Sequence, residues 1–221
     1  MNSYSETEYE IFSRSFILRE FSEENIRKLS NLNVGIVGIG GIGCPLSEYL
    51  IRSGIKQLTL IDGDVVEKSN LNRQILFDYN NLGEKKVKVA KTKLELINPE
   101  TNINIIDANL DNDNLSTLSN CTIIVDATDD WKVSRLLNQY CLHNSINFMF
   151  SSVVKNDLQI IIFDNSIKNK HLCLNCIFPN IDDVELPRCE SVGISGISAG
   201  MAGLISAQKI INFFFYLRDE T

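Results

Sequence analysis

Gly35-Ile-Val-Gly-Ile-Gly-Gly-Ile-Gly43 follows an apolar, strand-like stretch and opens a helix-like one. Gly38, Gly40 and Gly43 fall at the spacing of a nucleotide-binding turn, and Gly41 doubles the middle glycine. A Cβ in such a turn would hold the backbone away from phosphate oxygens. The free N–H groups of the helix that follows make an anion site. Downstream, Leu58-Thr-Leu-Ile-Asp62 ends a second apolar stretch on a carboxylate, placed to receive a ribose hydroxyl. Together the two features predict nucleotide binding.

Strand and helix patterns alternate on both sides of this turn. Strands are expected at 34–37, 57–61, 103–107, 122–126 and 146–150, and helices at 42–53, 84–97, 112–119 and 130–144. A short helix precedes them at 22–30, with Ser22 as its N-cap and Glu23 and Glu24 in its first turn. Val87, Ala90, Leu94 and Ile97 share one face of the second long helix, and Asn98-Pro99 ends it. This alternation predicts an α/β fold with a Rossmann-like, doubly wound, mostly parallel sheet. A further strand at 158–163 follows so closely that antiparallel pairing is expected. The stretch 165–192 reads as a long irregular loop, and a final helix as running from 194 to 217. The chain is read as one domain: a helical segment at 1–32, a nucleotide-binding core at 33–150, and an antiparallel extension, cysteine-bearing loop and final helix at 151–221.

With 221 residues, 44% of them hydrophobic, the chain can fill one sizeable core. Its net charge of −7 argues against nucleic acid or an anionic membrane as the main partner, and makes any cluster of cations informative. The polar, acidic start has no signal-peptide core, and the uncharged segment 192–208 reads as a buried helix packed through small residues rather than a membrane span. A cytoplasmic location is expected. The six cysteines then read as thiols, metal ligands or catalytic groups instead of disulfides. Cys44, Cys121 and Cys141 fall inside predicted elements, as core residues, whereas Cys173, Cys176 and Cys189 fall in the loop. The apolar run Phe213-Phe-Phe-Tyr-Leu217 needs a covering surface, which suggests a dimer or a shortened terminus.

The glycine turn and Asp62 alone favour a nicotinamide dinucleotide. The polar residues after Asp62 shift that balance. Asp64, Asn70, Arg73 and Gln74 lie in one hydrogen-bonding loop, and Lys85 and Lys86 open the next helix. Lysines there oppose the macrodipole, so solvent or a bound anion is expected to compensate them. Three adjacent phosphates with a metal need several fixed cations, and nucleotidyl transfer needs them in its transition state. The fourth strand ends Asp126-Ala-Thr-Asp129-Asp130, at the end of the sheet where the glycine turn also points. A carboxylate there serves either as a Mg²⁺ ligand or as a cap of the next helix.

In order along the chain come Arg14 in Phe12-Ser-Arg-Ser-Phe-Ile-Leu-Arg19, the doubled-glycine turn, Asp62-Gly-Asp64, Ser69-Asn-Leu-Asn-Arg-Gln74, Gly83-Glu-Lys-Lys-Val87, Ala127-Thr-Asp129, Cys173-Leu-Asn-Cys176 and Cys189. In these the chain resembles the ThiF/MoeB/HesA group of ubiquitin-activating-enzyme-like adenylyltransferases. The resemblance implies ATP-dependent adenylation of the C-terminal glycine of a small ubiquitin-like sulfur-carrier protein ending in Gly-Gly, of the thiamine or molybdopterin type. It further implies that Asp62 holds the ribose, that Asn70, Arg73 and Lys86 handle the phosphates, and that Asp129 binds Mg²⁺. Arg14 would reach into the site of a partner subunit in a homodimer, and Cys189 would accept the acyl group or take part in sulfur transfer from a donor protein. Cys173 and Cys176 match half of the family's Zn²⁺ site, and the second Cys-x-x-Cys is missing from this sequence. Asp130 and Ile197 replace the family's usual asparagine and proline. The alternatives are adenylation of a peptide C-terminus in a modified-peptide pathway, a nicotinamide-dependent oxidoreductase, and a non-catalytic nucleotide-binding scaffold.

Overall fold

The computed structural model describes residues 4–166, 172–179 and 193–216. Six strands form one sheet: β1 (Asn33–Val37), β2 (Gln57–Ile61), β3 (Asn102–Ile106), β4 (Ile123–Asp126), β5 (Asn147–Val154) and β6 (Asp157–Phe163). Their order is β3-β2-β1-β4-β5-β6, with every neighbouring pair parallel except β5 and β6. The doubly wound sheet and its antiparallel extension are thus as expected. The chain leaves β1 toward β2 and β3 on one side and later returns to β4 on the other. That reversal opens a crevice at the strands' carboxyl ends.

The helices are α1 (Glu6–Ile11), α2 (Ser13–Phe16), α3 (Glu23–Asn31), α4 (Gly43–Arg52), α5 (Lys86–Glu95), α6 (Trp131–Asn144), α7 (Leu174–Ile177) and α8 (Gly196–Tyr216). Alternation along the strands sorts the core into two layers. Val34, Ile36, Leu58, Leu60, Ile123, Val125 and Met149 face α4, α5 and α8. Ile61, Ile124, Phe148 and Phe150 face α6. Both sheet faces are therefore buried, as parallel sheets require. Cys44, Cys121 and Cys141 are buried core thiols, and burial raises the pKa of each, Cys121 to about 11.

Several elements differ from expectation. The helix expected at 112–119 is only a 3-10 turn over Leu115–Leu118. The side chains of Asp111 and Asn114 bond nearby amides there, which competes with helix formation. The helix expected from 84 starts at Lys86, because Val65 and Lys85 form an antiparallel bridge. Strand β5 runs four residues past 150, paired with β6 to Val154. Part of the apolar run near 213 is covered within the chain: Phe214 and Phe215 are buried and Phe215 packs edge-on against Phe21 at 4.9 Å, while Tyr216 is exposed and Leu217 lies outside the described residues. Among the described residues no helix is long and apolar enough to cross a membrane.

Helix α8 lies against α4 because Gly203 lets it approach; a Cβ there would stand 2.5 Å from the Ile42 carbonyl oxygen. Gly200, one turn earlier, has open space around it. Gly203→Ala is expected to destabilise the protein by about 1–3 kcal/mol through overpacking. Gly200→Ala is expected to be neutral or to stabilise it by about 0.5–1 kcal/mol. Urea unfolding of the two variants checks both signs.

Candidate active site

The glycine turn connects β1 to α4 and takes its shape from contacts that a side chain would destroy. Gly38 has φ +90°, and a Cβ on it would lie 2.8 Å from the Ala127 carbonyl oxygen. A Cβ on Gly43 would collide with the Gly38 carbonyl oxygen. Gly43 thus serves the packing of the turn and does not line the cleft, in contrast to Gly38, Gly40 and Gly41. The Gly38 amide donates to the Ile61 carbonyl at 2.9 Å. Asp62, at the end of β2, accepts from the Ile39 amide at 2.7 Å and the Asp64 amide at 2.9 Å. Burial raises the pKa of this carboxyl, and the Lys86 ammonium and the two amides work against that rise.

The loop after β2 is pinned to the start of α5. The Val66 amide bonds the Glu84 carbonyl at 2.8 Å, and the Lys86 amide bonds the Asp64 carbonyl at 3.1 Å. Lys86 is buried, its ammonium 2.7 Å from an Asp64 carboxylate oxygen. Lys85 reaches the Gly63 carbonyl at 2.9 Å and the Asp107 carboxylate at 3.0 Å. In the structure the two lysines are met by the carboxylates of Asp64 and Asp107 and by the Gly63 carbonyl. Arg73 donates to the Ser69 carbonyl at 2.8 Å and to Asn72 Oδ1 at 3.1 Å. Asn70 is buried and shapes the loop, its Oδ1 accepting from the Glu67 amide at 3.1 Å. Gln74 is buried, and its Oε1 has no hydrogen-bond partner among the described residues.

At the end of β4, Asp126 is fully buried and Asp129 is exposed. Asp130 caps α6, its Oδ1 accepting from the Lys132 amide at 2.8 Å. Burial pushes the Asp126 carboxyl up to about 6, partly offset by the hydroxyls of Ser134 and Thr128.

These parts enclose one cleft of 1160 Å³, lined by Gly38, Gly40, Gly41, Asp62, Asp64, Asn70, Arg73, Gln74, Lys86 and Asp129. Most of the predicted site therefore converges. Arg14 does not: it sits exposed on α2 and does not line the cleft. Cys173 and Cys176 also lie outside the lining, their sulfurs 3.4 Å apart. Burial raises the Cys173 pKa, but the neighbouring thiol and amides outweigh it and the net shift is downward. Among the described residues no group of three or more His, Cys, Asp or Glu side chains is placed to hold a metal, so this pair does not by itself make a Zn²⁺ site. Cys189 lies outside the described residues. Sequence reading missed Asn109, just past β3, and Ser152, in the longer β5, which also line the cleft. Asn109 was accessible in principle, since a parallel strand ending beside β2 must deliver its next residues to the same crevice.

A ThiF family model matches residues 12–220. The chain belongs to the ThiF family. It is 31% identical over 212 residues to the molybdopterin-synthase adenylyltransferase of Salmonella typhimurium, covering 96% of this chain and 84% of the relative. It is 29% identical over 220 residues to the SAMP-activating enzyme E1 of Haloferax volcanii, covering 99% and 79%. Escherichia coli MccB, crystallised with AMPCPP and MccA, superposes with a TM-score of 0.80 at 26% identity. That match covers 97% of this chain, which spans 65% of the MccB chain. As a ThiF-family protein the chain is an adenylyltransferase, and ATP is its nucleotide.

The buried Asp126 predicts a pH dependence of stability. Its folded pKa of about 6 lies above the ordinary 3.8, so the native state holds this proton more tightly than the unfolded chain. The cost of burying the charge is absent below the unfolded pKa and complete above the folded one. Between pH 4 and pH 8, wild type is expected to lose up to about 3 kcal/mol relative to Asp126→Asn. Urea unfolding of both proteins across that range measures the difference, and parallel profiles would refute the assignment.

Proposed function

We propose that this ThiF-family enzyme adenylates the C-terminal glycine carboxylate of a small ubiquitin-like sulfur-carrier protein ending in Gly-Gly, of the thiamine or molybdopterin type. The observation that carries the reading is the convergence of a glycine turn, Asp62, Arg73, Lys86 and Asp129 on one cleft. In this reading Asp62 holds the ribose, next to the turn that it already ties down. Gly38, Gly40 and Gly41 let the phosphates approach the start of α4, where helical amides and dipole favour anions. Arg73 and Lys86 face the β- and γ-phosphates, Lys86 exchanging Asp64 for a phosphate oxygen. Asn70 keeps the loop in shape, and the unpartnered Gln74 Oε1 is available to a donor on the nucleotide.

The carrier carboxylate is ionised at neutral pH and needs no general base. It attacks the α-phosphorus, the bond to the β-phosphate oxygen breaks, and pyrophosphate leaves with the negative charge that Arg73 and Lys86 neutralise. Holding the two reactants in line supplies much of the acceleration. Mg²⁺ is a hard cation that takes one or two carboxylates plus phosphate oxygens, and the exposed Asp129 suits that donor set. When bound it would screen phosphate charge. The oxidoreductase reading has no support beyond the glycine turn.

Arg14, remote from its own cleft, is read as completing the cleft of a second copy in a homodimer. Cys189 is assigned to sulfur transfer after adenylation, with a sulfur-donor protein as the further partner. The setting is the cytoplasm.

ATP–pyrophosphate exchange with Mg²⁺ and a panel of Gly-Gly carriers tests the function. One carrier is expected to support exchange and to lose it when its terminal carboxylate is amidated. Exchange supported only by a peptide would favour the modified-peptide alternative, for which the likeness to MccB speaks. Arg73→Ala and Lys86→Ala are each expected to lower exchange by about 10²–10³-fold, the usual cost of removing a group that stabilises transition-state charge. Unchanged exchange in both would refute the phosphate assignment. Mixing inactive Arg14→Ala with inactive Arg73→Ala is expected to restore activity, because a mixed dimer holds one intact cleft. No restoration would refute a role for Arg14 across subunits.

A further inference from the structure

Behind Asp129 lies a second carboxylate that the proposed chemistry does not use. Asp126 ends β4 with no exposed surface, paired in register with Val37 and Phe150 in the strands on either side. Its Oδ1 accepts from the Thr128 amide at 3.0 Å and from the Thr128 hydroxyl at 2.7 Å. The Thr128 hydroxyl oxygen in turn accepts from the Asp130 amide at 3.4 Å. Asp130 caps α6 through Lys132, and the Ser134 hydroxyl donates to the Asp130 carbonyl at 3.2 Å. The turn from β4 to α6 is thus tied at both ends, at Thr128 and at Asp130. The Asp129 side chain stays out of this network and stands exposed at the cleft. The Ser134 hydroxyl lies near enough to Asp126 to favour its ionised form, but it donates its hydrogen to the Asp130 carbonyl, and the other oxygen of Asp126 makes no full hydrogen bond among the described residues. A buried carboxylate left half-satisfied calls for an explanation that an ordinary packing residue would not need.

We propose that Asp126 is a positioning residue: acting through Thr128, it sets the turn that holds Asp129 toward the cleft, and so sets the affinity for the metal–nucleotide complex. This rests on the reading of Asp129 as the residue that faces the metal. One carboxylate oxygen taking two donors from the same residue fixes both the backbone and the side chain of Thr128. That restricts where the next Cα–Cβ bond can point. Groups that orient a metal ligand in this way are typically worth as much to metal affinity as their geometry demands, and a ligand left free to swing binds less well.

The test is Mn²⁺–ATP binding to the intact protein, read from the electron paramagnetic resonance signal of free Mn²⁺. Fluorescence of Trp131, the chain's single tryptophan and two residues from Asp129, gives a second readout. Metal-free ATP binding serves as the control. Asp129→Ala, Asp126→Ala and Thr128→Ala are each expected to weaken Mn²⁺–ATP binding roughly 10-fold, with metal-free ATP affinity not weakened, and raised in Asp129→Ala, which removes a carboxylate from the cleft. Thr128→Ser, which keeps the hydroxyl, is expected to bind as wild type. The Asp126→Ala/Thr128→Ala double variant is expected to be no weaker than either single one, since both break the same link. Thr128→Ala keeps the test open should Asp126→Ala fail to fold. Wild-type affinity in Thr128→Ala, with Asp129→Ala impaired, would overturn the positioning role alone, as would multiplying effects in the double variant. Wild-type affinity in Asp129→Ala would overturn the metal-facing role of Asp129 and the inference with it.

Discussion

Where the chain leaves β1 for α4, the backbone folds back on itself with no room for a Cβ at Gly38 or Gly43. The rest of the structure is built on that closeness. It brings the start of α4 to the end of the sheet, beside the crevice that Gly40, Gly41 and Ile42 line. It also lets the last helix settle on the turn. A Cβ on Gly41 would stand 3.0 Å from Ala199, and one on Gly203 would press on the Ile42 carbonyl. Segments far apart in sequence thus share one small region, and the nucleotide cleft is its open side. The Ile39 amide, bonded to Asp62, ties the end of β2 into the same arrangement.

Charge balance around the cleft is the second constraint. Among the described residues, the carboxylates of Asp62, Asp64, Glu67, Asp129 and Asp130 line it, against the cations Arg73 and Lys86. A triphosphate brought into such surroundings meets net negative charge, in a chain whose own net charge is −7. Two cations already engaged with Asp64 and with loop carbonyls do not offset that alone. In the proposed reading, a divalent cation arriving with the nucleotide would lessen that imbalance, and Asp129 would then serve as its ligand. Release of Lys86 from Asp64 would couple phosphate binding to a change in the loop that carries Asn70 and Arg73.

Much of this was legible in the sequence, for reasons that differ by element. Strand β2 matched its expected limits because a continuous buried, mostly apolar run and a terminal acid coincide there. Helix α3 was marked by its cap, and Ser22 does accept from the Asn25 amide. The stretch around 112–119 failed because polar side chains bonding their own backbone mimic a helix start without continuing it. Helix α1 falls in the helical segment read at 1–32, but its limits were not read because its polar sequence hides one decisive residue. Glu8 is buried, bonded to Lys56 at 2.7 Å and Asn98 at 3.1 Å, partners distant in sequence. In the cleft, residues carried by contiguous motifs were found, and those delivered by topology, Asn109 and Ser152, were not. The same holds for Asp126: its position was visible, but its burial and its tie to Thr128 depend on the strands on either side.

Attack of the acceptor's carboxylate on the α-phosphorus of ATP fixes where each carboxylate oxygen ends, and oxygen labelling reads that out. A carrier bearing ¹⁸O in its C-terminal carboxylate would be turned over with ATP, Mg²⁺ and a nucleophile that accepts the acyl group, and the products examined by mass spectrometry. One ¹⁸O is expected in AMP and none in pyrophosphate, because the carboxylate oxygen that bridges to phosphorus leaves with AMP. Label in inorganic phosphate, or unlabelled AMP despite turnover, would contradict it.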